Sequence, residues 1–247
     1  MSLAPTDYDF GNASNYFFAT TITCASEEAR AMYVEAFGHM LNYNHEQAIA
    51  CFSKVTELDP NCAMAWWGIA YCLSSSYNWS AGLGPGYDAI QQAISLKDGC
   101  SELEQDLIMA LSKRHTKEAR DNANPAALNM GNSPELNQAF ADAMAPLYEK
   151  YNGNLDVTAI YVEALMNLNP WTLWNKDAST GEITPVDDST LMLIKIMEDA
   201  FESSEEAKVH AALCHLYCHA LELSPFPERA LPAADVLRTL MPGCGHL

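Results

Sequence analysis

Apolar residues recur at spacings of three and four along nearly every long segment of the chain, and no run of alternating β-branched residues interrupts them. That pattern predicts an all-α protein. Segment 26–42 opens at Ser26 with Glu27 and Glu28 in its first turn and carries Ala29, Met32, Tyr33, Ala36, Phe37 and Met40 on one side. A hydroxyl cap followed by acidic residues is a sound helix start. Segment 46–58 carries Ala48, Ile49, Phe52, Val55 and Leu58 and halts at Asp59-Pro60, because the residue before a proline resists the α region. Segment 61–75 follows with Ala63, Trp66, Trp67, Ile69, Ala70 and Leu73.

Gly82, Gly84, Pro85 and Gly86 then predict an irregular insertion over 74–89, with helices resuming near 87–97 and 101–119. A second linker covers 121–134, where Ser133 and Pro134 supply the cap and first position of a helix reaching about Tyr151. Further helices are expected at 156–168, 188–203, 205–223 and 227–241, with a long polar loop carrying Trp171 and Trp174 after the first of them.

Composition narrows the class. With 247 residues, 49% of them hydrophobic, and five Trp, the chain can bury a sizeable core. A formal charge of -19 repels nucleic-acid phosphates and anionic membrane surfaces, so neither is an expected partner. No secretory leader and no membrane-length apolar run are evident. The expectation is a cytoplasmic protein whose eight cysteines, lacking a stapled spacing, are mostly buried reduced thiols. The Gly-rich phosphate cradles and the nucleophile elbow are absent, which lowers nucleotide hydrolysis and serine esterase chemistry.

Segment 208–224, KVHAALCHLYCHALELS, is the chemically densest stretch. With His215 at zero on a helix advancing about 100° per residue, His219 falls near +40°, Glu222 near -20° and Cys218 near -60°. Leu213, Leu216, Ala220 and Leu223 cluster on another side, so the histidine stripe is expected to face solvent, a groove or the next helix pair. Histidines at i and i+4 with a carboxylate one turn on can hold a metal ion such as Zn, Fe or Cu and leave an open position. On spacing alone the stripe reads first as polar residues bonding to a neighbouring helix. His210, about 140° from His215, could join only from the first turn.

The stretch AFGHMLNYNHEQAIACFSKVTELDPNCAMAWWGIAYCL resembles a tetratricopeptide repeat running into the next one. Ala36, Ala48 and Phe52 stand where close helix crossings need small residues beside an aromatic, Pro60 ends the unit, and Trp66 and Ala70 recur in phase. More widely, YNHEQA, CAMAWWGIAY, EALMNLNPWTLW, HAALCHLYCHALE and PERALPAADVLRTLMPGCGHL are similar, in order, to a group of large tetratricopeptide-repeat proteins. The resemblance implies a tetratricopeptide-like α-α superhelix over 1–247, clearest at 26–75, degenerate over 76–134, with further hairpins over 135–247. In that group the last segment runs on into further histidines and repeats. The expectation is therefore a C-terminally incomplete piece in which His246 joins His210, His215 and His219. The resemblance gives Cys218 no support as a ligand.

Other polar candidates receive structural readings. His39 stands at an aromatic packing position, and His45 opens a helix. His115, amid Lys113, Arg114 and Lys117, is expected at the surface, while Trp171 and Trp174 are expected to pin their loop. Two functions compete. One is a scaffold offering a concave groove to a peptide or protein partner, with an acidic lining favouring basic ones. The alternative is a metal-binding protein or metal-dependent enzyme using His215, His219 and Glu222 with His246 and His210. A purely structural member of a larger assembly also remains open.

Overall fold

A computed structural model describes residues 17–78, 84–121 and 133–240. Among these the chain forms α1 (Phe17–Thr21), α2 (Glu27–Leu41), α3 (His45–Leu58), α4 (Ala63–Cys72), α5 (Gly84–Leu96) and α6 (Glu102–Ser112). It continues with α7 (Lys117–Asp121), α8 (Pro134–Lys150), α9 (Leu155–Met166), α10 (Asp188–Ser203), α11 (Ala211–Leu221) and α12 (Leu231–Leu240). Consecutive helices are packing partners except around the short α7, which packs on α5 while α6 meets α8, and α9 also touches α11. The described residues are all-α apart from one short hairpin, and no described helix is long and apolar enough to cross a membrane.

The boundaries follow local chemistry. The Ser26 hydroxyl accepts from the Ala29 amide and starts α2. Ser101 and Glu104 form a capping box on α6. Glu104 also accepts from the Thr23 amide and hydroxyl at 2.7 and 2.6 Å, tying the start of the fold to α6. Ser133, Asn154 and Asp187 cap α8, α9 and α10.

Two helices lie at the centre. Every residue of α9 is buried, as are all of α4 but Trp66, the condition in which a helix is apolar nearly all round. Ala36, Ala48, Phe52 and Ala70 are fully buried. Where α3 meets α4, a Cβ on Gly68 would collide with the Phe52 ring, so the glycine permits this close crossing.

Several expectations are corrected. The turn Gly84–Gly86 is not irregular but opens α5, since a proline in a first helical turn forfeits no hydrogen bond. The 101–119 helix is two helices, α6 and α7, because Arg114 and His115 turn inward between them and Thr116 recaps the chain. Arg114 and His115 are therefore buried, not a surface patch. Arg114 donates through Nε and Nη2 to Asn137 Oδ1, at 3.0 and 2.8 Å. His115 Nε2 meets the Ser74 hydroxyl at 2.8 Å. The polar loop after α9 contains an antiparallel pair, β1 (Trp174–Lys176) and β2 (Ile183–Pro185), with Asn175 opposite Thr184. Leu223 lies beyond the end of α11 and is exposed, although helical phasing grouped it with the core side. The seven described cysteines are free thiols.

Candidate functional site

Helix α9 carries two buried carboxylates, Asp156 near its start and Glu163 near its end. Asp156 meets His210 Nε2 at 3.0 Å. His210 Nδ1 accepts from the Leu213 amide at 3.3 Å, so this histidine is the N-cap of α11 with both ring nitrogens engaged.

Glu163 is placed differently. The Tyr71 hydroxyl, at the end of α4, donates to its Oε2, and the Tyr43 hydroxyl also bonds the carboxyl. Burial raises the Glu163 carboxyl above its ordinary value, against the opposing pull of Tyr71, the Arg114 guanidinium and Tyr43. Burial, reinforced by Glu163, likewise pushes the Tyr71 hydroxyl well up. Burial thus favours the neutral form of a carboxyl that two tyrosine hydroxyls bond inside the protein.

The histidine stripe of α11 faces this cluster. His215 is buried, with its ring 4.7 Å from that of His219, centroid to centroid. The Tyr43 ring stands edge-on to His215 at 5.1 Å and stacks near His45 at 5.7 Å. His219 Nδ1 lies 2.8 Å from Glu222 Oε1, and its Nε2 lies 3.2 Å from Asn78 Nδ2. A carboxylate only accepts and an amide nitrogen only donates. Nδ1 therefore carries the proton, and Nε2 presents its lone pair toward Asn78. Tyr77 and Trp171 close on the same ring at 5.3 and 5.5 Å, stacked on each other at 5.2 Å.

The backbone supplies a second signature. Tyr43 and Trp171 are the non-glycine residues with positive φ among those described, at 59° and 61°. Tyr43 sits just past the end of α2, where the Tyr43 amide bonds Met40 O and the Asn44 amide bonds His39 O. That is a Schellman closure, whose left-handed residue is ordinarily glycine. Trp171 follows Pro170 in a turn closed by the Thr172 amide on Asn169 O, the position of a type II turn that ordinarily takes glycine. Both strained positions thus carry aromatic rings that touch the histidine pair.

The structure brings together His215 and His219, with Glu222 bonding His219. It sets His210 apart at the other end of α11, while His246 lies outside the described residues. Among the described residues, His215, His219 and Glu222 do not gather as three ligands around one point. Sequence reasoning missed Tyr43, Tyr71, Tyr77, Asn78 and Glu163. The available signal was Glu163 itself, a carboxylate inside the apolar run AIYVEALM. The chain matches no family model, no curated protein and no solved structure.

Proposed function

We propose that the chain is a tetratricopeptide-like α-α superhelix in which the C-terminal ends of α2, α4, α9 and α11 build an acid–base site for a small polar ligand. The observation that carries this reading is the coincidence of strain and chemistry. Positive φ at a bulky residue costs on the order of 1–3 kcal/mol and persists where the surroundings hold it, most often at functional sites. Here both such residues close on His215 and His219.

In this reading His219 accepts a proton at Nε2, and Glu222 fixes its tautomer and ring orientation as an orienting carboxylate does. Tyr71 and Glu163, whose neutral forms burial favours, stabilise charge developing on the ligand. Trp171 and Tyr77 wall the site on its exposed side. A metal-dependent form, with Zn, Fe or Cu on His215 and His219, would draw a third ligand such as His246 from outside the described residues.

A thermal-shift screen of small carboxylates, amides and sugars against wild type and His219→Ala tests the proposal. Ligands that stabilise the wild type and lose their effect in a still-folded His219→Ala protein support it. If every stabilising ligand acts equally on His219→Ala, the site is elsewhere.

A second reading, a groove for a peptide partner, is favoured by one separate observation. Cavities of about 470 and 400 Å³ between α8, α9 and α10 share Ala145, Tyr161 and Met192 as floor. Asp142, Asp187, Glu149 and Asp199 line them against Lys195, which is already paired with Asp199. An apolar floor with acidic walls suits a basic amphipathic helix. Fluorescence titration with such a peptide, weakened by salt and by Met192→Glu, would support it; binding indifferent to both would remove it.

A further inference from the structure

A second cluster of donor atoms lies outside this site, across the α2–α3 hairpin. Glu35 and His39, four residues apart, share one face of α2, and Cys51 of α3 faces them. Glu35 Oε1 stands 4.0 Å from His39 Nε2 and 4.0 Å from Cys51 Sγ. All three donor atoms lie within 4.8 Å of one another.

We propose that Glu35, His39 and Cys51 form a site for one divalent ion of the zinc class. The donor set is one carboxylate oxygen, one imidazole nitrogen and one sulfur, the mixture that a borderline-soft ion prefers to Mg²⁺ or Ca²⁺. Metal–ligand bonds of about 2.0–2.3 Å in a tetrahedron hold ligand atoms roughly 3.5 Å apart. Each pair here closes to that separation by about half an ångström to somewhat over one, within the reach of rotamer adjustment.

The surroundings suit the assignment. His39 is buried, and burial holds its imidazole down to about 4, so it is neutral and able to ligate. Its Nδ1 lies 3.4 Å from the Asn44 side-chain amide, a partner that can orient the ring from behind. Gln47 Nε2 donates toward Cys51 Sγ at 3.7 Å, which favours the thiolate. The thiol itself is pushed up to about 11, chiefly by burial and then by Glu35. Binding therefore releases the Cys51 proton to solvent as the sulfur–metal bond forms, and no electron changes hands. Glu35 is partly exposed, which gives an ion access and leaves the fourth position to water.

The position gives the ion a task. The cluster spans the hairpin whose turn carries Tyr43, so a bound ion would clamp the loop that presents Tyr43 to His215. The inference does not rest on the acid–base reading of His219.

Cobalt(II) titration of the full chain, followed by absorption, tests it. A sulfur-to-cobalt charge-transfer band saturating at one ion per chain, displaced by zinc, is expected in the wild type and in His219→Ala. Cys51→Ser should lose the band, and Glu35→Gln, at a partly exposed position, should keep it with affinity weakened about tenfold or more. A wild-type chain with no such band overturns the site. So does a band that survives Cys51→Ser unchanged, which would place the sulfur ligand on another cysteine.

Discussion

The ring of Trp171 stands edge-on to that of His219, with 5.5 Å between centroids, on a backbone position whose φ is 61°. Half of Trp171 is exposed, so hydrophobic burial does not account for a bulky residue where glycine would relax the turn. Trp171→Gly removes the strain and the ring together, whereas Trp171→Ala removes only the ring. The glycine variant should therefore be the more stable of the two by about 1 kcal/mol in urea unfolding, with wall contacts to ligand lost in both. An alanine variant more stable than the glycine variant would show that the turn stores no strain.

Burial of Glu163, opposed by its bond from Tyr71, makes stability depend on pH. The folded-state value of Glu163 is raised above the unfolded one, so the folded chain binds the proton more tightly. That contribution is fully present below the ordinary glutamate value and is lost as pH rises through the folded value. Glu163→Gln keeps the shape and an acceptor for Tyr71 without the ionisation. Denaturation midpoints measured upward from pH 4.5 should fall less steeply with pH in Glu163→Gln than in wild type. Equal slopes would mean that Glu163 is ionised in the fold.

The His210–Asp156 pair is a structural joint between α11 and α9. His210→Ala removes a helix cap, worth about 1 kcal/mol, and one partner of a buried carboxyl, for a combined loss of about 3–5 kcal/mol. His210→Asn can still cap and should recover roughly 1 kcal/mol of that. Chemical denaturation measures both. A loss under 1 kcal/mol in the alanine variant would mean that Asp156 finds water or another partner.

Much of this architecture was legible because helix ends are written locally. Ser26, Asp59-Pro60 and Ser133-Pro134 each predict a boundary that the fold keeps, and 188–203 matches α10. The break between α6 and α7 was hidden, because charge at Arg114 and His115 reads as surface unless Asn137 and Ser74 are known to meet them. Strands β1 and β2 are three residues each, too short to show an alternation. The adjacency of His215 and His219 follows from their spacing. Their partners do not, since Asn78 and His219 are 141 residues apart and Tyr71 and Glu163 are 92 apart. Glu222, a candidate ligand on the sequence, stands in the fold with its Oε1 2.8 Å from His219 Nδ1.

The protonation pattern of the His219 ring tests that orientation most directly. Long-range ¹H–¹⁵N correlation spectra, recorded at a pH where the ring is neutral, distinguish the two tautomers. A proton on Nδ1 and a bare Nε2 are predicted in the wild type, with the preference weakened in Glu222→Gln. A ring protonated at Nε2, or a tautomer unaffected by Glu222→Gln, would contradict the assignment of His219 as the proton acceptor of this site.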